Sequence, residues 1–189
     1  MHFIVVGAGA IGCYVGGRLA AAGQQVSLVG RPAILADIAA HGLQITDMDG
    51  FAAHVPADRL QLAASVADVD RSGAPVVLLC VKGGATAQAA GEIGAVLGAQ
   101  AVVISLQNGV DNVQRIRAAA PRLDVVAGMV PYNVVLSGPA KAHRATTGQL
   151  HIGPSGRSAE VAACCQAAGL PMVVVPDMQA VQWASCCLT

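Results

Sequence analysis

Three glycines near the start of the chain restrict its fold more than any other feature. Gly7-Ala8-Gly9-Ala10-Ile11-Gly12 follows the apolar run His2–Val6 and opens the Ala-rich stretch Ala10–Ala22. In a strand-to-helix connection with this spacing, the first glycine allows a tight turn and the second lets the backbone approach a pyrophosphate. The third lets the helix lie close on the strand. The phosphates then meet the unpaired N–H groups and the positive end of the helix. An Ala/Gly-rich helix start that only packs tightly would read the same in isolation, so the elements behind it have to decide.

Those elements alternate between strand and helix. Val/Ile/Leu-rich runs at His2–Val6, Gln25–Val29, Val76–Val81, Ala101–Ser105 and Asp124–Ala127 are apolar on both alternating faces, as in a parallel sheet covered on both sides. Helices are expected between them at Ala10–Ala22, Ala33–His41, Ala85–Leu97 and Val110–Ala119. Leu43–Thr46 and Ala52–Val55 flank the turn-rich Asp47-Met48-Asp49-Gly50, which predicts a hairpin after the second helix. From Val130 the pattern changes. Tyr132–Leu136, Lys141–Thr146 and Gln149–Ile152 are separated by Ser-Gly-Pro and Thr-Gly turns and read as antiparallel strands completing the sheet edge. A helix at Ser158–Ala168, a strand at Met172–Val175 and a helix N-capped by Asp177 follow. The expected fold class is α/β, a Rossmann-type doubly wound and mainly parallel sheet with antiparallel edge strands.

Composition removes several other classes. Hydrophobic residues make up 54% and charged residues 12%, which excludes disorder, coiled coil and charged tails. Eleven Lys+Arg balance eleven Asp+Glu, so no basic field exists to capture nucleic acid or an anionic membrane, and neither is expected as a partner. The glycine-interrupted start lacks a basic leader, and no other stretch has the length and apolarity of a membrane span. Six cysteines, among them the adjacent pairs Cys164–Cys165 and Cys186–Cys187, show neither disulfide-scaffold density nor zinc spacing. They read as small buried hydrophobes in a reducing, cytoplasmic setting with no metal.

Side chains at the carboxyl ends of the strands are the candidate ligands. The second strand ends in Val29-Gly30-Arg31, where an NAD-specific protein places Asp or Glu on the ribose hydroxyls. No acid stands there. Gly30 leaves space for a 2′-phosphate and Arg31 offers a planar fork to hold it, which points to NADP(H); the other reading of Arg31 is a solvated strand cap. Lys82 ends the run Pro75–Val81, where it either serves the cofactor or snorkels at the surface. Leu106-Gln107-Asn108-Gly109 ends the next strand, and its carboxamides either reach ribose or substrate or form a turn launching the next helix.

Taken together, Ile4–Gly12, Gly30-Arg31, Val81-Lys82, Gln107-Asn108-Gly109 and Gly148-Gln149-Leu150-His151-Ile152-Gly153 resemble the ketopantoate reductases (2-dehydropantoate 2-reductases) in order along essentially the whole chain. The resemblance implies NADPH-dependent reduction of 2-dehydropantoate, a small 2-keto acid, to pantoate on the way to pantothenate. It implies cofactor contacts from Gly7, Ala8, Gly9, Ala10, Ile11 and Gly12, and from Arg31 and Lys82 at the 2′-phosphate end. Asn108 would touch the nicotinamide ribose and the substrate. Tyr132-Asn133-Val134 would line the nicotinamide side, with Val134 acting through its backbone. It also divides the chain into a cofactor domain, 1–176, and a remnant of a second, helical domain, 177–189, the rest of which is missing.

One departure bears on activity. The family carries Trp-x-Lys-Leu in that first helix, its Lys being the general acid, whereas this chain reads Trp183-Ala184-Ser185-Cys186-Cys187-Leu188-Thr189. Ser185 cannot supply an ammonium that orients a keto acid and protonates an alkoxide, so no catalytic residue is assigned and impaired turnover is expected. With favourable codons, a shifted reading frame restores Lys-Leu-Leu-Leu-Asp after the Trp-x pair, which makes a frameshift the expected origin of the tail. Apolar Trp183, Cys186, Cys187 and Leu188 would then mediate a homodimer or soluble aggregate. The alternatives to the reductase are a non-catalytic NADP-binding module and a Rossmann dehydrogenase for another hydroxy acid.

Overall fold

The structure, a computed structural model, describes residues 1–186, with side chains through Gln182. The tail on which the frameshift and homodimer expectations rest, including Ser185, lies outside those described side chains. The first part of the chain runs β1 (His2–Val6), α1 (Ala10–Ala21), β2 (Gln25–Val29), α2 (Pro32–His41), β3 (Leu43–Asp47), β4 (Ala52–Val55), β5 (Gln61–Ala63), β6 (Val76–Leu79) and α3 (Thr86–Val96). It continues with β7 (Val102–Ser105), α4 (Asn112–Ala119), β8 (Asp124–Met129), β9 (Val134–Gly138), β10 (Lys141–Arg144) and β11 (Leu150–Ile152). Then come α5 (Ser158–Ala167), β12 (Met172–Val174) and α6 (Met178–Cys186), with Asp177 Oδ1 accepting the Ala180 N–H at 3.1 Å as the N-cap.

The main sheet is eight-stranded, ordered β12-β11-β8-β7-β6-β1-β2-β5. From β5 to β8 all pairs are parallel, and the chain leaves β1 first toward β2 and later toward β6, which is the doubly wound arrangement. Strands β1, β6 and β7 are buried at every position, because helices cover one face and helices with a second sheet cover the other. The short β5 was not anticipated; it is held on β2 by Ser27 Oγ donating to Gln61 Oε1 at 2.6 Å.

The carboxyl-terminal strands depart from expectation in where they pair. Of the three expected to complete the sheet edge, only Gln149–Ile152 does so, as β11 antiparallel to β8. β9 and β10 instead join the β3–β4 hairpin in a separate sheet of order β4-β3-β10-β9, with β10 parallel to β3. Alternation of apolar and polar residues sets which face of a strand is buried, not which sheet receives it. Here Ala142 and Arg144 of β10 are buried and lie beside Ile45 and Asp47 of β3, and this sheet packs on α1.

Helix α1 is therefore pressed between two sheets. A side chain at Gly16 would begin 2.8 Å from Leu28 of the main sheet, and one at Gly17 would begin 2.7 Å from Ile45 of the second. Adjacent glycines thus let the helix backbone lie close to both layers. At its far end Arg18 is buried and donates from Nε to Ala168 O (3.1 Å) and from Nη2 to Gly169 O (2.6 Å), across 150 residues of sequence. Its Nη1 pairs with Asp47 Oδ2 at 3.1 Å, and the guanidinium lies 3.6 Å from the Phe51 ring centroid. Asp47 belongs to the predicted turn, and its Oδ1 accepts the N–H groups of Asp49 (3.0 Å) and Phe51 (2.9 Å). Its other oxygen turns inward to Arg18, Arg144 at 3.2 Å and the Tyr14 hydroxyl at 3.3 Å.

Burial alone would raise the Asp47 carboxyl pKa. The Phe51 N–H and the Arg144 guanidinium outweigh it and hold the group below the usual carboxylate range. Because the carboxyl ionises more readily folded than unfolded, its stabilisation is complete above its unfolded pKa of about 4 and is lost as pH falls through the lower folded value. Asp47→Asn should cost about 3 kcal/mol at neutral pH, since it leaves the buried Arg18 guanidinium without a counter-charge and Arg144 with Asp49 alone. Urea unfolding across pH 3 to 7 checks this: the parent should weaken at the acid end and the variant should be flatter there.

Candidate dinucleotide cleft

The glycine loop takes its shape from contacts that no side chain would permit. Gly7 sits at φ +112°, and a Cβ on it would lie 2.8 Å from the backbone of Cys80 and Val81. Its N–H and that of Ala8 both donate to Val29 O, at 2.9 and 3.0 Å, which ties the loop to the end of β2. A Cβ on Gly12 would run into the Gly7 carbonyl oxygen. Gly9 is different. It is exposed, it is the N-cap of α1 with no side-chain cap, and a Cβ built there meets nothing within 4 Å. The first-turn N–H groups of α1 therefore face an open space with the positive end of the helix behind them, which fits a pyrophosphate.

On either side of that loop the neighbouring strands present cations. Val6 of β1 is in register with Val29 of β2 and Leu79 of β6, so Arg31 and Lys82 stand just beyond two strands that flank β1. Both are exposed, and among the described residues neither side chain has an ion-pair partner. Arg31 is the N-cap residue of α2 and makes no side-chain hydrogen bond to that helix, so its guanidinium is left to solvent. Gly30 has a role other than the one expected. A side chain there would meet the Ala8 Cβ at 2.6 Å, so the glycine is required by loop packing whatever the cofactor, and Arg31 alone carries the argument for a 2′-phosphate.

Beyond β6 the sheet edge opens into a cleft of about 560 Å³ that brings together Ile11, Lys82, Asn108 and Val134 of the sequence candidates; the glycines and Arg31 are not part of its lining. Strand β6 stops at Leu79, two residues earlier than expected, and Cys80 and Val81 become wall. Burial pushes the Cys80 thiol up to about 12, so it contributes shape and not a thiolate. Gln107 also lines the cleft, but its carboxamide is engaged. Its Nε2 donates to Val81 O and Thr86 Oγ1, both at 2.8 Å, and its Oε1 accepts from Ser105 Oγ at 3.1 Å. It fixes the β6–β7 rim and is not available to ribose. Asn108 is exposed with its side chain free, while its backbone oxygen accepts from Asn112 Nδ2 at 2.8 Å. The turn reading of Asn108 thus holds for its backbone, while its side chain is left without a partner among the described residues.

Gln182 and Met129 are among the cleft residues that were not singled out from sequence. Gln182 of α6 is buried against the floor, donating to Gly128 O at 3.3 Å, and Met129 lies at the end of β8. Gln182 was expected only as part of the helix capped by Asp177, and Met129 lies two residues past the expected strand Asp124–Ala127, so neither position carried a signal for a cleft. Among the described residues no cluster of His, Cys, Asp and Glu could hold a metal ion, and no helix is long and apolar enough to cross a membrane.

The family model for the ketopantoate reductases PanE/ApbA matches residues 3–157, which includes the glycine loop, both cations and the cleft strands. The chain belongs to this family. It is 29% identical to a 2-dehydropantoate 2-reductase of Halobacterium salinarum, over 97% of this chain and 60% of that protein. A ketopantoate reductase crystal structure from Ralstonia eutropha JMP134 superposes with a TM-score of 0.86 at 34% identity, covering 97% of this chain and 59% of that one. A D-mandelate dehydrogenase solved with NADH and anilino(oxo)acetate shares the fold, at TM-score 0.81 and 21% identity, over 100% of this chain and 61% of that one. The chain spans 60% and 59% of the lengths of the curated ketopantoate reductases it matches.

The loop geometry separates two glycines by their effect on folding. Gly12→Ala should destabilise by about 2 kcal/mol, because the new methyl group meets backbone that cannot move aside. Gly9→Ala should cost less than about 1 kcal/mol, the difference between glycine and alanine as an N-cap. Thermal melts of the two variants beside the parent check the contrast.

Proposed function

We propose that the chain is the cofactor-binding part of an NADPH-dependent 2-dehydropantoate 2-reductase of the cytoplasm, acting in pantothenate synthesis. The observation that carries this reading is the open helix start at Gly9, flanked by two unpaired cations, in a chain of the ketopantoate reductase family. The backbone of Gly7 to Gly12 holds the pyrophosphate, Arg31 the adenosine 2′-phosphate, and Lys82 adds positive charge on the other side of the loop. Asn108 serves the second ribose and the substrate, and Val134 presents its backbone at the nicotinamide end. When bound, the nicotinamide supplies a hydride for a keto carbon. The residues of this chain position the two reactants and keep the cleft wall apolar and unreactive at Cys80.

The preference for NADPH rests on Arg31 and on the absence of an acid at the end of β2. A charge-assisted hydrogen bond contributes about 1.5–3 kcal/mol, or roughly a ten- to hundredfold difference in affinity. Calorimetric titration should find NADPH binding more tightly than NADH by that factor, with Arg31→Ala removing most of the difference. Equal affinities in the parent would refute the NADP assignment, and binding of neither cofactor would refute the dinucleotide reading.

A further inference from the structure

Four carboxamide side chains line the cleft: Gln107, Asn108, Asn133 and Gln182. Gln107 is held by Val81, Thr86 and Ser105, and Gln182 by Gly128. Asn108 and Asn133 keep their donors and acceptors free of partners among the described residues. Asn133 is exposed on the lip between β8 and β9, yet its backbone is fixed on both sides. Its N–H donates to Thr146 Oγ1 at 2.8 Å, and its C=O accepts from Ala145 N at 2.9 Å. A carboxamide on an anchored backbone loses little freedom when it binds, which is what a positioned ligand group requires.

The sheet order says which part of a dinucleotide reaches it. With the 2′-phosphate at Arg31 beyond β2 and the pyrophosphate over α1 beside β1, the other half of the molecule extends over β6, β7 and β8. Asn108 follows β7, and Asn133 lies farther along, after β8. The nicotinamide carries its own carboxamide, one donor and one acceptor in a plane, and an Asn side chain matches both at once. The side chains of nearby Ile11, Val130, Pro131 and Val134 offer the ring no such pair.

We propose that the Asn133 carboxamide is the partner of the nicotinamide carboxamide and fixes the angle of the ring in the cleft. The inference rests on the reading above that this cleft takes NADP(H), and goes beyond it by naming the group that reads the nicotinamide end. The test compares NADP⁺ with its 3-acetylpyridine analogue, in which a methyl group replaces the amide nitrogen. Fluorescence or calorimetric titration of the 189-residue chain should give the analogue about five- to tenfold weaker binding, the effect of losing the one neutral hydrogen bond that the amide nitrogen donates. In Asn133→Ala the two ligands should bind alike, and in Asn108→Ala the parent's discrimination should persist. The ratio is taken within one protein preparation, so a change in folded fraction does not move it. An Asn133→Ala variant that still discriminates, or a parent that does not, overturns the inference while leaving the cofactor reading intact. A parent that binds neither ligand overturns both.

Discussion

The seating of α1 between two sheets is the constraint from which the site follows. A helix that must lie against Leu28 on one side and Ile45 on the other has only glycine available at positions 16 and 17. At its far end Arg18 holds the α5–β12 connection and the Asp47 turn together. With the helix axis fixed this way, its first turn is aimed over the end of β1, where Gly7 and Gly12 already force the loop into one shape. The direction of the helix dipole is thus set by apolar packing and by a buried ion pair some two turns distant from the phosphate position. The proposed phosphate site therefore depends on the hydrophobic core as much as on the loop residues themselves.

The cleft divides its polar groups between holding the rim and facing outward. Gln107 and Gln182 have their amides engaged by neighbouring backbone or hydroxyl groups, as does Asn112 just outside the cleft, so they define where the strands end. Lys82, Asn108 and Asn133 are exposed and carry the hydrogen-bonding capacity that remains, and Arg31 stands exposed outside the cleft, beyond β2. Their spacing across the carboxyl edge follows the strand order from β2 to β8, the order in which the proposed dinucleotide would extend. Cys80 and Tyr132, both pushed to higher pKa by burial, are wall residues and stay neutral across the physiological range.

Much of this could be read before any coordinates. The buried strands declared themselves because a covered parallel sheet needs apolar residues on both faces, and the loop declared itself by its glycine spacing, two of whose positions, Gly7 and Gly12, leave no room for a Cβ. Strand pairing was less legible. Lys141–Arg144 alternates as an edge strand would, and nothing in that alternation says that its neighbour is β3, almost a hundred residues earlier, and not β8. The role of Gly30 was misread because a missing side chain leaves no trace of the direction in which it would have pointed; the structure points it at Ala8. Gln107 looked like a ligand for a related reason, since a carboxamide at a strand end reads identically whether it bonds a cofactor or the next turn of backbone. The inward turn of Asp47 was hidden too, because Asp in a turn is expected on local grounds alone.

The central claim is that the start of α1 is a phosphate site. Amide NMR spectra of the chain, recorded as NADP⁺ is added, test it at the atoms concerned. The account predicts that the largest shifts fall on the N–H groups of Gly9, Ala10, Ile11 and Gly12, with a second group at Arg31 and little change near Asp47. Shifts that leave residues 9–12 unmoved while the ligand binds elsewhere, or no shifts at saturating ligand, would contradict it.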